Sequence, residues 1–216
     1  MSDSTPTVFV VDDDEPVRDS IAMLLDTVDI PCQTFATAQA FLDGYDKSSG
    51  GCLVLDIRMP GISGLELQER LIAEQAPIPI VFITGHGDIP MAVDAMKKGA
   101  VDFIRKPFRD QELLDRIHEA LSVDAGQRSA HATLEEVRNK IDTLTPREHE
   151  VFERVAEGQA NKVVAIDLGI SERTVEIHRS QVMRKAEART LADLVRMKLW
   201  LDQAAIADLS DPDRRR

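Results

Sequence analysis

The sequence predicts an α/β doubly wound, five-stranded parallel sheet over residues 1–122, followed by an all-α unit of four helices over residues 144–201. Three observations carry this. Five short apolar runs in the first half are each followed by a stretch of helical periodicity, and strand then helix, repeated, builds a parallel sheet covered on both faces. After Thr145 no strand-like run occurs. Charge divides the same way: residues 1–125 hold 10 Lys or Arg against 22 Asp or Glu, and residues 126–216 hold 16 of each, so the net charge of −12 belongs to the first part alone.

The five apolar runs cover residues 8–11, 32–35, 53–55, 80–83 and 102–104. Most are nearly continuous in apolar residues, as strands buried on both faces should be. The helical stretches between and after them cover residues 17–27, 38–45, 64–74, 90–98 and 110–121. Residues 122–132 are small and polar and predict a linker, so residues 123–143 form a connecting segment that holds a helix. Within it Thr133-Leu134-Glu135-Glu136 offers a capping box, and Leu134, Val137, Ile141 and Leu144 follow at helical spacing. That stripe is thin, so it calls for a partner surface or a second copy. Four further helices are expected at residues 146–157, 161–168, 172–186 and 191–200, then a C-terminal extension over 202–216 that ends in a frayed tail.

Composition narrows the class. No run approaches the length of a membrane span, and the polar start Met1-Ser2-Asp3-Ser4 lacks the pattern of a signal peptide, so a cytoplasmic protein without membrane contact is expected. Cys32 and Cys52 lie in apolar runs and read as small buried residues rather than a disulfide framework. The acidic whole-chain balance argues against nucleic-acid binding only if the two halves are averaged.

In a doubly wound sheet, ligands gather at the carboxyl ends of the strands. Here the first run ends in Asp12-Asp13-Asp14-Glu15, the third in Asp56, the fourth in Thr84-Gly85-His86-Gly87 and the fifth in Lys106-Pro107. Acids so placed repel one another unless a cation is present, and an oxygen-liganded ion such as Mg²⁺ suits them. A Thr hydroxyl and a Lys ammonium at neighbouring ends can hold phosphoryl oxygens. Asp56 stands alone on its strand and is the candidate to carry a phosphoryl group. A turn-capping role for Asp56 is the competing reading.

The segments VVDDDEPVR, LDIRMPGISG, ITGHGD and DFIRKPF resemble the marks of a bacterial response-regulator receiver domain, a flavodoxin-like fold, over residues 7 to about 122. The resemblance implies phosphorylation of Asp56 by a sensor histidine kinase. It implies Mg²⁺ bound by Asp13, Asp56 and the backbone carbonyl of Arg58, with Asp12 supporting the site. It further implies Lys106 paired with the phosphoryl group, Thr84 reorienting toward it, and Phe103 following as the aromatic switch residue. A cis Lys106-Pro107 bond is also in the family's pattern. Arg58 and His86 flank the path of attacking water. Aspartyl-phosphate phosphatases share some of these residue types, but they need a general acid two positions past the nucleophile, where this chain has Arg58.

In the second half Ala165, Gly169 and Val175 have helix-turn-helix spacing: a small residue for close approach, a turn glycine and an interface plug. Ser171 is placed to cap the second helix, which would enter the major groove. Arg173, Arg179, Arg184, Lys185 and, on the preceding helix, Lys162 are candidate phosphate contacts. Val175, Val182 and Ala186 should pack inward, with His178 at their edge.

Residues 144–197, LTPREHEVFERVAEGQANKVVAIDLGISERTVEIHRSQVMRKAEARTLADLVRM, resemble the LuxR-type DNA-binding domain of NarL/FixJ response regulators, and TGHGDIPMAV points to the FixJ-type branch. By that resemblance Glu176, Ile177 and Ser180 face bases and Thr174 joins the DNA contacts. Many relatives carry Lys at the position of Glu176, and Val163 replaces a more usual acidic residue. The resemblance implies a phosphorylation-dependent transcription regulator, of activator type. Its partners would be double-stranded promoter DNA, RNA polymerase and a second copy of itself in a homodimer. A receiver that binds proteins or sinks phosphate without touching DNA is the other reading left open.

Overall fold

The computed structural model describes residues 5–76, 78–85 and 89–210. His86 and the tail beyond Ser210, both singled out above, lie outside them. Two compact units emerge, Met1–Arg128 and Ser129–Arg216. Among the described residues no helix is long and apolar enough to cross a membrane.

The first unit is a five-stranded sheet in the order β2-β1-β3-β4-β5, every pairing parallel. Its strands are β1 Thr7–Val11, β2 Cys32–Phe35, β3 Gly51–Asp56, β4 Ile80–Thr84 and β5 Asp102–Arg105. β3 and β4 are buried along their whole length, which explains why the sequence reads as unbroken apolar runs. Strand alternation sorts these side chains onto two faces. Phe9, Val11, Leu53, Leu55, Ile80 and Phe82 join one core, and Val8, Val10, Cys52, Val54, Val81 and Ile83 join the other. Helices α1 Glu15–Asp26, α2 Ala38–Gly44, α3 Gly64–Ala73 and α4 Ile89–Lys97 follow the first four strands. Cys32 and Cys52 are free thiols, and burial pushes them up to about 11 and about 12.

The turn after β3 is set by local chemistry. Ser63 caps α3 in a capping box, its hydroxyl accepting from the Glu66 amide while the Glu66 carboxylate accepts from the Ser63 amide. The first residue of α3 must be Gly64, because a Cβ there would meet the Asp56 carbonyl oxygen at 2.2 Å. The helix thus starts directly against the strand tip that carries Asp56.

The helix expected within the linker does not begin at Thr133 but takes in residues 122–132 as well. Helix α5 runs unbroken over Asp110–Asp142. Asp124 is buried, accepts from the Gly51 amide at 2.9 Å and from Arg128 Nε at 2.9 Å, and Arg128 also donates to the Ser48 carbonyl at 2.8 Å. Polar residues that read as solvated linker are therefore ties to the start of β3. Thr133 caps nothing; it sits inside α5 and its hydroxyl donates back to the Ser129 carbonyl.

In the second unit, α6 Pro146–Ala156, α7 Asn161–Leu168, α8 Glu172–Lys185 and α9 Leu191–Ser210 enclose a third core. α9 extends ten residues past its expected end at Trp200. Val137 and Ile141, from the stripe that called for a partner, are buried here with Val151, Phe152, Val155 and Leu194. Thr145 and Glu148 form the capping box of α6. The buried Glu148 carboxylate also receives Lys185 Nζ at 2.6 Å, and these bonds hold its pKa down to about 2.

A carboxyl with a folded pKa below its unfolded value stabilises fully above the unfolded value near 4.5 and loses that contribution as pH falls toward about 2. Glu148→Gln is therefore expected to lower the stability of the second unit by about 1–3 kcal/mol at neutral pH. The gap to wild type should close across that acidic window. Urea unfolding followed by the fluorescence of Trp200, the single tryptophan, measures both.

Candidate functional site

The strand order 2-1-3-4-5 reverses between β1 and β3, and the crevice beyond their carboxyl ends is where such sheets bind ligands. Asp12 and Asp13 follow β1, and Asp56 is the last residue of β3. Carboxylate oxygens of Asp12, Asp13 and Asp56 all lie within 4.8 Å of one another. Asp12 is fully buried, Asp56 is 7% exposed and Asp13 is exposed. Lys106, just beyond β5, places Nζ 2.6 Å from Asp12 Oδ2 and 3.4 Å from Asp56 Oδ2. Three carboxylates thus face one ammonium. Burial raises the pKa of Asp56, Lys106 opposes the rise, Asp12 adds to it, and a hydrogen bond from the Arg58 backbone amide lowers it.

Neighbours hold this cluster in place. Asp12 Oδ1 accepts from the Asp14 amide at 2.9 Å, and the Asp12 carbonyl accepts from Arg18 Nη1 at 2.6 Å. Arg18 had no assigned role in the sequence reading; its place one turn into α1, within VVDDDEPVR, is the signal that marks it. The Lys106 amide donates to the Thr84 carbonyl at 2.7 Å, and the Lys106-Pro107 bond is cis.

Thr84 ends β4 and is 3% exposed, and its hydroxyl has no hydrogen-bond partner among the described residues. A buried hydroxyl without a partner is costly and marks a place for a ligand acceptor. By alternation Thr84 shares the face of Ile80 and Phe82. Phe103 pairs in register with Phe82 and packs against the same core. Thr84 and Phe103 are therefore diagonal neighbours on one face, while Asp56 follows Cys52 and Val54 on the other.

The second candidate surface lies on α7 and α8. Gly169 terminates α7 with φ 65°, in the left-handed region, and Ser171 caps α8, accepting from the Thr174 amide at 3.1 Å. Ala165 and Val175 are buried between the two helices. The α8 residues Arg173, Glu176, Ile177, Ser180 and Arg184 are all exposed, and their spacing puts them on one face. Lys162 on α7 is exposed too. Thr174 is half-buried, with its hydroxyl 2.8 Å from Ser171 Oγ. Three of the expected phosphate contacts are bonded within the unit, Arg184 among them, its Nη2 donating to Gln181 Oε1 at 2.7 Å. Arg179 donates to Asn161 Oδ1 at 3.0 Å, and Lys185 binds Glu148 and the Thr143 carbonyl. Sequence spacing missed Asn161 and Glu148, because their partners lie 18 and 37 residues away.

Comparisons with known proteins bear on both units. The family model of the response regulator receiver domain matches residues 8–118, and that of bacterial regulatory proteins of the luxR family matches residues 142–198. Nodulation protein W of Bradyrhizobium diazoefficiens is 50% identical over 198 residues, covering 92% of this chain and 87% of that protein. Transcriptional regulatory protein FixJ of Azorhizobium caulinodans is 45% identical over 212 residues, covering 98% of this chain and 100% of that protein. Among solved structures, response regulator StyR is similar at 48% identity and a TM-score of 0.82, covering 90% of this chain and 98% of that one. With a carboxylate cluster at the sheet's switch point in one unit and a helix-turn-helix in the other, the chain belongs to the two-component response regulators of NarL/FixJ type, transcription regulators that join a receiver domain to a LuxR-type DNA-binding domain.

Proposed function

We propose that Asp56 is the phosphoryl acceptor of this regulator and that its phosphorylation by a sensor histidine kinase controls binding of the second unit to double-stranded promoter DNA. The observation that carries this reading is the crevice itself: Asp56 beside Asp12, Asp13 and Lys106, with Thr84 at the end of the adjacent strand, its buried hydroxyl without a partner among the described residues. In the transfer step an Asp56 carboxylate oxygen forms a bond to phosphorus as the bond from phosphorus to the donor histidine nitrogen breaks. Lys106, 3.4 Å from Asp56, is placed to pair with the arriving phosphoryl oxygens. The Thr84 hydroxyl gains an acceptor by turning toward them, and the space it leaves on the Phe82 face is available to Phe103.

The donor set fits Mg²⁺, since three oxygen-bearing side chains converge and one ammonium leaves negative charge uncompensated. Asp12, Asp13, Asp56 and the backbone carbonyl of Arg58 would hold it. When bound it supplies positive charge that offsets the charge gathering on the phosphoryl oxygens. In the second unit, α8 is the recognition helix. Arg173 and Arg184 on α8 and Lys162 on α7 are the exposed cations for phosphates, and Thr174, Glu176, Ile177 and Ser180 the groove-facing side chains of α8. Arg179 and Lys185 act instead as ties that set the helix in place. The activator role, contact with RNA polymerase and pairing into a homodimer belong to the same proposal.

Three variants test it. Asp56→Asn is expected to abolish labelling by acetyl phosphate or by a phosphorylated kinase; a label retained on the variant places the acceptor elsewhere. Without divalent cations the same variant should unfold at higher urea than wild type, because it removes one of three crowded carboxylates. Thr84→Ala is expected to accept phosphate on Asp56 yet lose most of the rise in DNA affinity that phosphorylation produces, read by gel shift. Arg184→Ala should weaken binding to all DNA sequences alike and reduce the slope of log affinity against log salt by roughly 1.

A further inference from the structure

Helix α8 spends its polar side chains unevenly. Of its four cations, Arg179 and Lys185 are half-buried and bonded to other segments of the unit, so Arg173 and Arg184 remain on the exposed face, Arg184 steadied by Gln181 of the same helix. They are eleven residues apart, about 16 Å along the helix at 1.5 Å per residue. A B-DNA major groove is about 12 Å wide, so an arginine at each end can meet the phosphates on either side of it. Between them the exposed face holds Glu176, Ile177 and Ser180.

What lies between the arginines excludes the commonest base contacts. Guanine is read by Arg or Lys, and adenine by Asn or Gln. None of these is free in the middle of this face. Gln181 lies off this face, half-buried, with its side-chain oxygen receiving Arg184 at 2.7 Å, and Ser180 donates its hydroxyl to the Glu176 carbonyl at 2.9 Å. The two unspent side chains are a carboxylate and a branched apolar group. Glu176 has acceptors only, so it is repelled by phosphates and by the acceptor edges of guanine and of thymine O4. The cytosine N4 amino group is the one major-groove donor without an acceptor on the same base beside it. Ile177 is 56% exposed, and the apolar group that a major groove offers is the thymine methyl.

We infer that α8 reads a pyrimidine-marked half-site, with Glu176 accepting a hydrogen bond from cytosine N4 and Ile177 packing on the methyl of a nearby thymine. This rests on the proposed DNA binding by α8 and names its sequence preference. Repulsion adds to the selection, since Glu176 disfavours guanine and thymine at its own position.

The experiment is selection from a random duplex pool with the full-length chain charged by beryllofluoride, run with wild type and Glu176→Gln. Wild type should enrich a motif with one cytosine whose replacement costs roughly ten- to hundredfold in affinity. Glu176→Gln should shift the preference at that position alone toward adenine. Uracil in place of each thymine of the motif removes only the methyl; at one position it should weaken wild type several-fold and leave Ile177→Ala unaffected. A selective motif that is identical for wild type and Glu176→Gln, or that tolerates uracil throughout, overturns the base assignment while leaving DNA binding intact. If wild type enriches no motif at all, the proposed DNA-binding role falls together with the assignment.

Discussion

Repulsion among Asp12, Asp13 and Asp56 is the constraint around which the first unit is organised. Their oxygens are brought within 4.8 Å by two adjacent strands whose apolar residues are buried, and Lys106 supplies positive charge beside Asp12 and Asp56. Left to itself a chain would spread such groups into solvent, so the cost of holding them together is met by the packing of β1 and β3. Arg18 and the Asp14 amide add local bonds that keep Asp12 aimed. Gly64 lets α3 begin against the backbone of Asp56 without a clash. The cluster is a store of unfavourable electrostatics, and a cation or a phosphoryl group that re-pairs its members changes the balance most.

The same strand alternation that builds two cores also divides labour at the tips. Asp56 belongs to the face of Cys52 and Val54, and Thr84 and Phe103 to the face of Phe82. A one-residue slip of β4 would exchange the Thr84 hydroxyl for an apolar side chain, so the switch role proposed for Thr84 depends on register as much as on residue type. In the second unit an analogous division falls on the cations. Lys185 completes the capping of α6 through Glu148, Arg179 joins α8 to the start of α7, and the arginines left outward are those at the ends of the exposed face.

Much of this was legible in the sequence, for identifiable reasons. The five strands read as apolar runs because parallel strands are buried on both sides, and the acids stood out because they interrupt those runs at strand ends. Ala165, Gly169 and Val175 were legible because a tight turn between helices admits few residue types. The helix over residues 122–132 was not legible, because Asp124 and Arg128 look solvent-facing until the start of β3 supplies their partners. Thr133 looked like a cap because the capping pattern is local, whereas α5 begins more than twenty residues earlier at Asp110.

The sequence by itself determined the fold class, the identity of the acids and the position of the helix-turn-helix, since these depend on periodicity and on residue types at short spacing. Only the tertiary structure decided which charged groups are spent internally and which remain outward. Asp124 finds Gly51, Lys185 finds Glu148 and Arg179 finds Asn161 across 73, 37 and 18 residues. Such pairings are properties of packed helices and strands in three dimensions, and no local pattern encodes them.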